Sequence, residues 1–445
     1  MAQIRGKNDK KVITAWAMYD WANSVYSLVI NTAIFPIYYN SICDSHSIIN
    51  PVSHEKVIDL FGFRAPSAAF LTYAYSLSYL FISILSPILS GIADYSGRKK
   101  AFMRFFVLLG SMSCIAFYFF NANNIAFGLL MVIFASIGFS GSLVFYNAFL
   151  PEIVTPEHYD KTSAKGYALG YIGSVLLLIA NLAMVTKPEW FLLPDTGTAT
   201  RVSFLMVGLW WLGFSQYTFN YLPKEERLNK VTNKIITKGF TELKKVWFSL
   251  RHLPEVRRFL QAFFFYDMAV QTIMLLATTY VINKLHIDDS FLIVTVLTIQ
   301  LVAIPGAYLF AYISKSRGNI FSIRAMIIIW VGVCISAYFV ADKYQFLAIA
   351  IVVGIIMGGI QSLSRATYAK LLPATLDHAS YFSFYDVIEK IGLILGPLSF
   401  GVMQALTGDI SNSVWPLMVF FIIGYILLSG KKWSETAGVL PESNT

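Results

Sequence analysis

The sequence predicts an all-α integral membrane protein, with twelve transmembrane helices arranged as two six-helix pseudo-repeats. Three observations carry that prediction. The 445-residue chain is 56% hydrophobic and only 13% charged, with a mean hydropathy of +0.61, too little charge to cover the surface of a soluble protein of this size. It contains twelve apolar stretches close to the roughly 20 residues that a helix needs to cross a bilayer. One long basic connection divides those stretches six and six. Helices are the expected spanning element because each backbone group must find its partner within its own segment.

In chain order the stretches are 12–40, 67–93, 102–120, 125–148, 165–186, 201–221, 258–283, 290–313, 319–341, 344–368, 381–406 and 412–430, with ends set to within a few residues. We refer to them as spans one to twelve. Residues 1–221 form an N-terminal six-helix bundle and 222–257 a connecting linker. Residues 258–430 form a C-terminal six-helix bundle, and 431–445 a tail. A basic patch before an apolar run resembles a signal peptide, but the run is too long for one and carries a polar stripe, so it is retained as span one. The net charge of +9 follows topology rather than nucleic acid. Lys and Arg gather in the connections on one side, and the positive-inside rule then places both termini in the cytoplasm. The chain has no N-x-[ST] sequon, which suits a bacterial inner (plasma) membrane. The partners expected from this are the lipid bilayer and a small solute, with the protein a monomer.

Within the linker, Ile236, Phe240, Leu243, Trp247 and Leu250 recur at spacings of three and four, flanked by Lys238, Lys244, Lys245 and Arg251. This pattern predicts an amphipathic helix on the inner leaflet. The halves match weakly as repeats. Tyr19-Asp20 of span one meets Tyr266-Asp267 of span seven, and Tyr146, Leu150 and Pro151 meet Tyr368, Leu372 and Pro373. Parallel six-helix halves place a solute site at their interface.

The chemistry-bearing residues are polar side chains inside these spans. Span one carries Asp20, Asn23, Ser24 and Asn31, and span four carries Asn147. Span seven carries Asp267 and Gln271, span ten Gln361 and Arg365, and span eleven Asp386 and Glu389. Polar groups left unsatisfied in a membrane cost several kcal/mol, so these should face inward and line a cavity. They are the candidate substrate-binding or coupling residues. The ionisable ones form a layer toward the inner side, with Asp20 and Asp267 roughly 12–14 Å into their helices at 1.5 Å per residue. Two roles are open for that pair: a proton or substrate-charge site that works symmetrically, or a gate that closes the inner side. Asp386 and Lys390 stand at i and i+4, as a neutralised ion pair, which leaves Glu389 as the unpaired acid. Arg365 matches Leu143 in the first half, so it calls for a partner, either a substrate carboxylate or Asp386.

The loop after span two, "SGIADYSGRKK", supplies Asp94, Gly97, Arg98 and Lys99. Gly97 suits a tight turn, Asp94 can face the N-terminus of a helix in the opposite half, and the basic residues can pair with acids such as Glu152. This loop resembles the signature of the major facilitator superfamily, with Ser90 and Tyr95 as departures from it. Longer stretches narrow the resemblance: "AWAMYDWANSVYSLVINTAIFPIYY", "FYNAFLPEI", "GGIQSLSRATYAKLLP" and "FSFYDVIEKIGLILGPLSFG". Together they resemble the vacuolar-effluxer family of that superfamily, which contains autophagy-linked amino-acid exporters of fungal vacuoles. The resemblance implies the major facilitator fold, secondary active transport by alternating access and efflux of neutral amino acids; the buried acids Asp20 and Asp267 add the expectation of coupling to protons.

Other classes fit less well. No G-x-x-x-x-G-K-[ST] loop is present to cradle ATP. All six His lie in loops or connections, so the His/Asp cluster expected of a membrane-embedded enzyme is missing, and no enzyme or cofactor is expected. Cys43, Cys114 and Cys334 have no zinc spacing, so no metal is expected. A channel or solute receptor, or a facilitator for sugars or drug-like compounds, remains open at this stage.

Overall fold

A computed structural model describes residues 6–45, 47–49, 56–60, 62–224, 235–285, 287, 289–430 and 433. Most of the expected tail, residues 225–234 of the linker, and the side chains of Ile236 and Lys238 lie outside the described residues. Span one begins where Asp9 caps it, its carboxylate accepting the Lys11 N–H at 2.7 Å, an arrangement that satisfies a backbone donor with no partner inside the helix. Long helices occupy all twelve expected stretches. Nine of them, among the described residues, are long and apolar enough to cross a membrane. The helices of spans one, six and eleven fall outside that set.

Span one is not a single α-helix. Lys10–Val25 is α-helical, Tyr26–Ala33 winds as a π-helix, and Phe35–Ser45 resumes the α-helix. The wider turn is sealed by the Ile34 N–H donating to the Val29 carbonyl five residues back. The α-helical winding that carries Asp20, Asn23 and Ser24 therefore ends at Val25 and does not extend to Asn31. Such insertions often occur at functional positions. Between spans one and two the chain forms a small antiparallel sheet that hydropathy does not suggest. Its strands are β1 (Ile48–Ile49), β2 (Lys56–Leu60) and β3 (Phe63–Ala65), in the order β1-β2-β3.

The buried apolar residues of both halves form one continuous core, and the halves meet along two seams. Span five (Tyr159–Thr186) lies against spans eight (Asp289–Arg317) and ten (Lys343–Leu371). Spans two (Ser67–Ser96) and four (Ile125–Ala148) lie against span eleven (His378–Thr407). A linker helix, Ile235–His252, runs beneath the end where span two finishes and span eleven starts. We call this the linker end.

Candidate functional site

The linker end is held shut by polar contacts between the halves, and three of them build the candidate site. The first is the loop after span two. Gly97 ends that helix at φ +70°, a left-handed conformation that costs a glycine little. The turn leaves Asp94 facing the first residues of span eleven. There its two carboxylate oxygens accept the Ser380 N–H at 2.7 Å and the Ala379 N–H at 3.3 Å. An anion on the positive end of a helix dipole is stabilised by the unpaired backbone donors there. Lys99 lies 3.4 Å from Asp94, pairs with Glu152 and donates to the Leu376 carbonyl of the opposite half at 3.1 Å. His378 adds a contact to Glu152 at 3.3 Å. Lys99, rather than Arg98, is the basic residue that pairs here.

The second contact is the counterpart in the other half, which the sequence shows only as the degenerate "ISKSRGN". Asp160, in the first turn of span five, accepts Ser314 Oγ–H at 2.9 Å, Asn319 Nδ2–H at 2.8 Å and Lys370 Nζ–H at 2.7 Å. Asp160 and Lys370 were not singled out from the sequence, where an acid at a helix start reads as an ordinary cap.

The third contact lies deeper. Arg365 of span ten reaches across the seam to Asp20 of span one, with both terminal guanidinium nitrogens 3.2 Å from Asp20 Oδ2. Tyr146 Oη–H donates to the same oxygen at 2.7 Å. The guanidinium is satisfied on its other edges by Ser163 Oγ at 2.9 Å, the Ser163 carbonyl at 3.0 Å and Asn147 Oδ1 at 3.3 Å. It sits among the rings of Tyr167, Trp16 and Tyr146, 4.4, 4.8 and 5.4 Å from their centroids. Aromatic faces stabilise a desolvated cation. Gly166 makes the approach possible, because a Cβ there would lie 2.4 Å from Asp20 Oδ2. Both charged side chains are buried, so the pair holds only because nearly every donor and acceptor has a partner.

Two expectations are corrected here. Arg365 pairs with Asp20, not Asp386, because Asp386 is held on its own helix by Lys390 at 3.4 Å. Asp20 and Asp267 share no hydrogen bond or ion pair among the described residues. The asymmetric Arg365 takes Asp20, and Leu143 offers Asp267 no equivalent.

Asp267 instead belongs to a second cluster inside the C-terminal half. Gln271 Nε2–H lies 3.4 Å from its Oδ1, and Glu389 and Lys390 are charged neighbours that it shares with Asp386. Glu389 is not unpaired, since Lys390 Nζ lies 3.0 Å from it. The partnerless oxygens are buried Asp267 Oδ2 and Asp386 Oδ2, which find no hydrogen bond among the described residues. The cluster thus holds three carboxylates against one lysine. Tyr167, whose ring lies 4.4 Å from the Arg365 guanidinium, also feels the charges of Glu389 and Asp267.

The remaining expected residues are scattered around these two centres. Gln361 accepts Tyr171 Oη–H at 2.7 Å, a further bond between spans five and ten. Ser24 packs where Gly170 leaves room for its Oγ. Asn23 is buried, and its Nδ2 has no partner among the described residues. The same holds for Asn31 Oδ1, in the π-helical turn.

The chain matches the family model described as "Vacuole effluxer Atg22 like" over residues 8–433. It is 33% identical over 425 residues to the MFS-type transporter YxiO of Bacillus subtilis, with 95% of each chain covered. It is 23% identical to Autophagy-related protein 22 of Yarrowia lipolytica, covering 86% of this chain and 80% of that one. Among solved structures it shares the fold of the transporter FucP in its outward conformation, at a TM-score of 0.66 and 13% identity over 94% of this chain and 97% of that one. The proton:xylose symporter XylE is equally similar in fold, at 0.66 and 11% identity over 94% of each chain. The chain belongs to the Atg22-like vacuole effluxer family and has the major facilitator fold.

Proposed function

We propose that the protein is a secondary transporter that exports neutral amino acids by alternating access, coupled to protons, with the linker end facing the cytoplasm. The observation that carries this is the Asp20–Arg365 pair. It joins the two halves through one buried contact, so opening the linker end requires that it separate. A guanidinium under aromatic rings is the group here best suited to take a solute carboxylate, because its planar donor fork matches that anion. A solute that replaces Asp20 on Arg365 would loosen the seam as it binds, and solute binding and opening would then be linked.

The second cluster supports the proton role. Its acids outnumber its base, and two buried carboxylate oxygens lack partners. A proton on either acid relieves that burden at no geometric cost. Asp20, already bonded to Tyr146 and Arg365, has less need of one. The concentration of Lys and Arg on the linker side supports its assignment to the cytoplasm.

The test is counterflow in proteoliposomes of purified protein preloaded with leucine or tyrosine. Uptake of labelled amino acid against the preloaded pool, and accumulation under an imposed pH gradient, are expected. Counterflow with sugars but with no amino acid would overturn the solute assignment. Equilibration without any counterflow would point to a channel.

A further inference from the structure

We propose that the linker helix Ile235–His252 docks its outer face on anionic phospholipid headgroups of the leaflet at the linker end, so that one helix holds both halves on one side and the membrane on the other. Its inner face is tied to protein. Gly239 crosses Gly91 so closely that a Cβ on Gly91 would lie 2.3 Å from the Gly239 carbonyl oxygen, and a Cβ on Gly239 would meet the Ile88 carbonyl oxygen at 3.3 Å. Val246 and Leu250 are buried. Ser249 Oγ lies 2.8 Å from Tyr381 Oη, and the Trp247 ring lies 5.8 Å from that of Phe384, both in the opposite half.

These contacts also fix the level at which the linker helix crosses span two. Gly91 stands five residues before Ser96, the last residue of span two, so the crossing lies about 7 Å inside the end of that helix. A crossing this near the end of a spanning helix is compatible with the headgroup and acyl boundary, where amphipathic helices settle. The face turned away from the bundle carries Phe240, Lys244, Phe248 and Arg251, at i, i+4, i+8 and i+11, with Trp247 at its edge. Its three aromatics are about half exposed. Lys244 and Arg251 lie over the Phe248 ring at 5.8 and 5.3 Å. The helix's acid, Glu242, is off this face and paired with Lys245 at 2.8 Å. The outer face is therefore aromatic and cationic with no acid, the complement of an anionic lipid surface.

The experiment is hydrogen exchange of the full chain in nanodiscs of phosphatidylcholine alone, and in discs containing phosphatidylglycerol. At roughly fivefold per basic side chain near an anionic surface, exchange over 235–252 should slow about 25-fold in the anionic discs. Lys244→Gln with Arg251→Gln should remove that slowing while leaving exchange in the spans unchanged. These side chains are exposed, so the variant keeps the fold. Equal exchange in both discs, or slowing that survives the double substitution, would overturn the proposal. Adding inorganic phosphate to the neutral discs tests the headgroup chemistry alone, and protection by phosphate there would overturn docking on the membrane.

Discussion

Asp20→Asn should tip the protein toward a linker-end-open state. The substitution keeps the shape and one acceptor but removes the charge opposite Arg365. Breaking one side of a buried ion pair costs about 3–5 kcal/mol. Here the guanidinium keeps both bonds to Ser163, its bond to Asn147 and three aromatic rings. The low end therefore applies, about 3 kcal/mol. In the open state the halves have parted at this seam and the pair contributes nothing, so the whole loss falls on the closed state. At about 1.4 kcal/mol per tenfold, the open population should rise on the order of 100-fold. The assay is a pulsed electron–electron distance measurement between spin labels at Thr155 and Thr375, on a background without Cys43, Cys114 and Cys334. A longer distance should become populated in Asp20→Asn. Arg365→Leu should do the same, and the two together should cost less than their sum, because the pair is already broken. An unchanged distance distribution in both single variants, or strict additivity, would refute the idea that this pair holds the end closed.

Three further outcomes are expected. Asp94→Asn removes an anion from the start of span eleven while keeping one acceptor for Ser380; it should weaken the latch by about 1 kcal/mol, read as faster labelling of a cysteine placed at the linker end, and unaltered labelling would reject the latch. Gly166→Ala forces a methyl into contact with Asp20 Oδ2 and Arg365 Nη2; overpacking of about 1–3 kcal/mol should lower the melting temperature, and an unchanged one would show that the seam yields freely. Asp267→Asn fixes a neutral group in the second cluster and should abolish accumulation driven by a pH gradient while sparing counterflow; full accumulation in the variant would remove Asp267 from proton coupling.

The sequence by itself determined the all-α membrane fold class, because hydropathy over some 20 residues is a local property that lipid reads without help from the fold. The loop from Asp94 to Lys99 was legible for a similar reason: a turn glycine, an acid and basic residues stand within a few positions, and their partner is a helix start, a feature every span presents. The motifs in spans one, four, ten and eleven were long enough to indicate the family. What the sequence could not determine was who meets whom across the seam. Arg365 calls for an anion from its burial alone, yet Asp386 and Asp20 are equally good anions on paper. Only the packing of span ten against span five, with Gly166 leaving the gap, brings in the one that lies 345 residues away. Asp20 and Asp267 look like a pair because they occupy matching repeat positions. The tertiary structure separates them, because one unmatched arginine breaks the symmetry and leaves Asp267 to the acids of its own half. The π-helical turn was equally hidden, since a change in winding depends on which backbone donors the surrounding helices leave to be satisfied, and that is decided by the whole bundle rather than by any stretch of it.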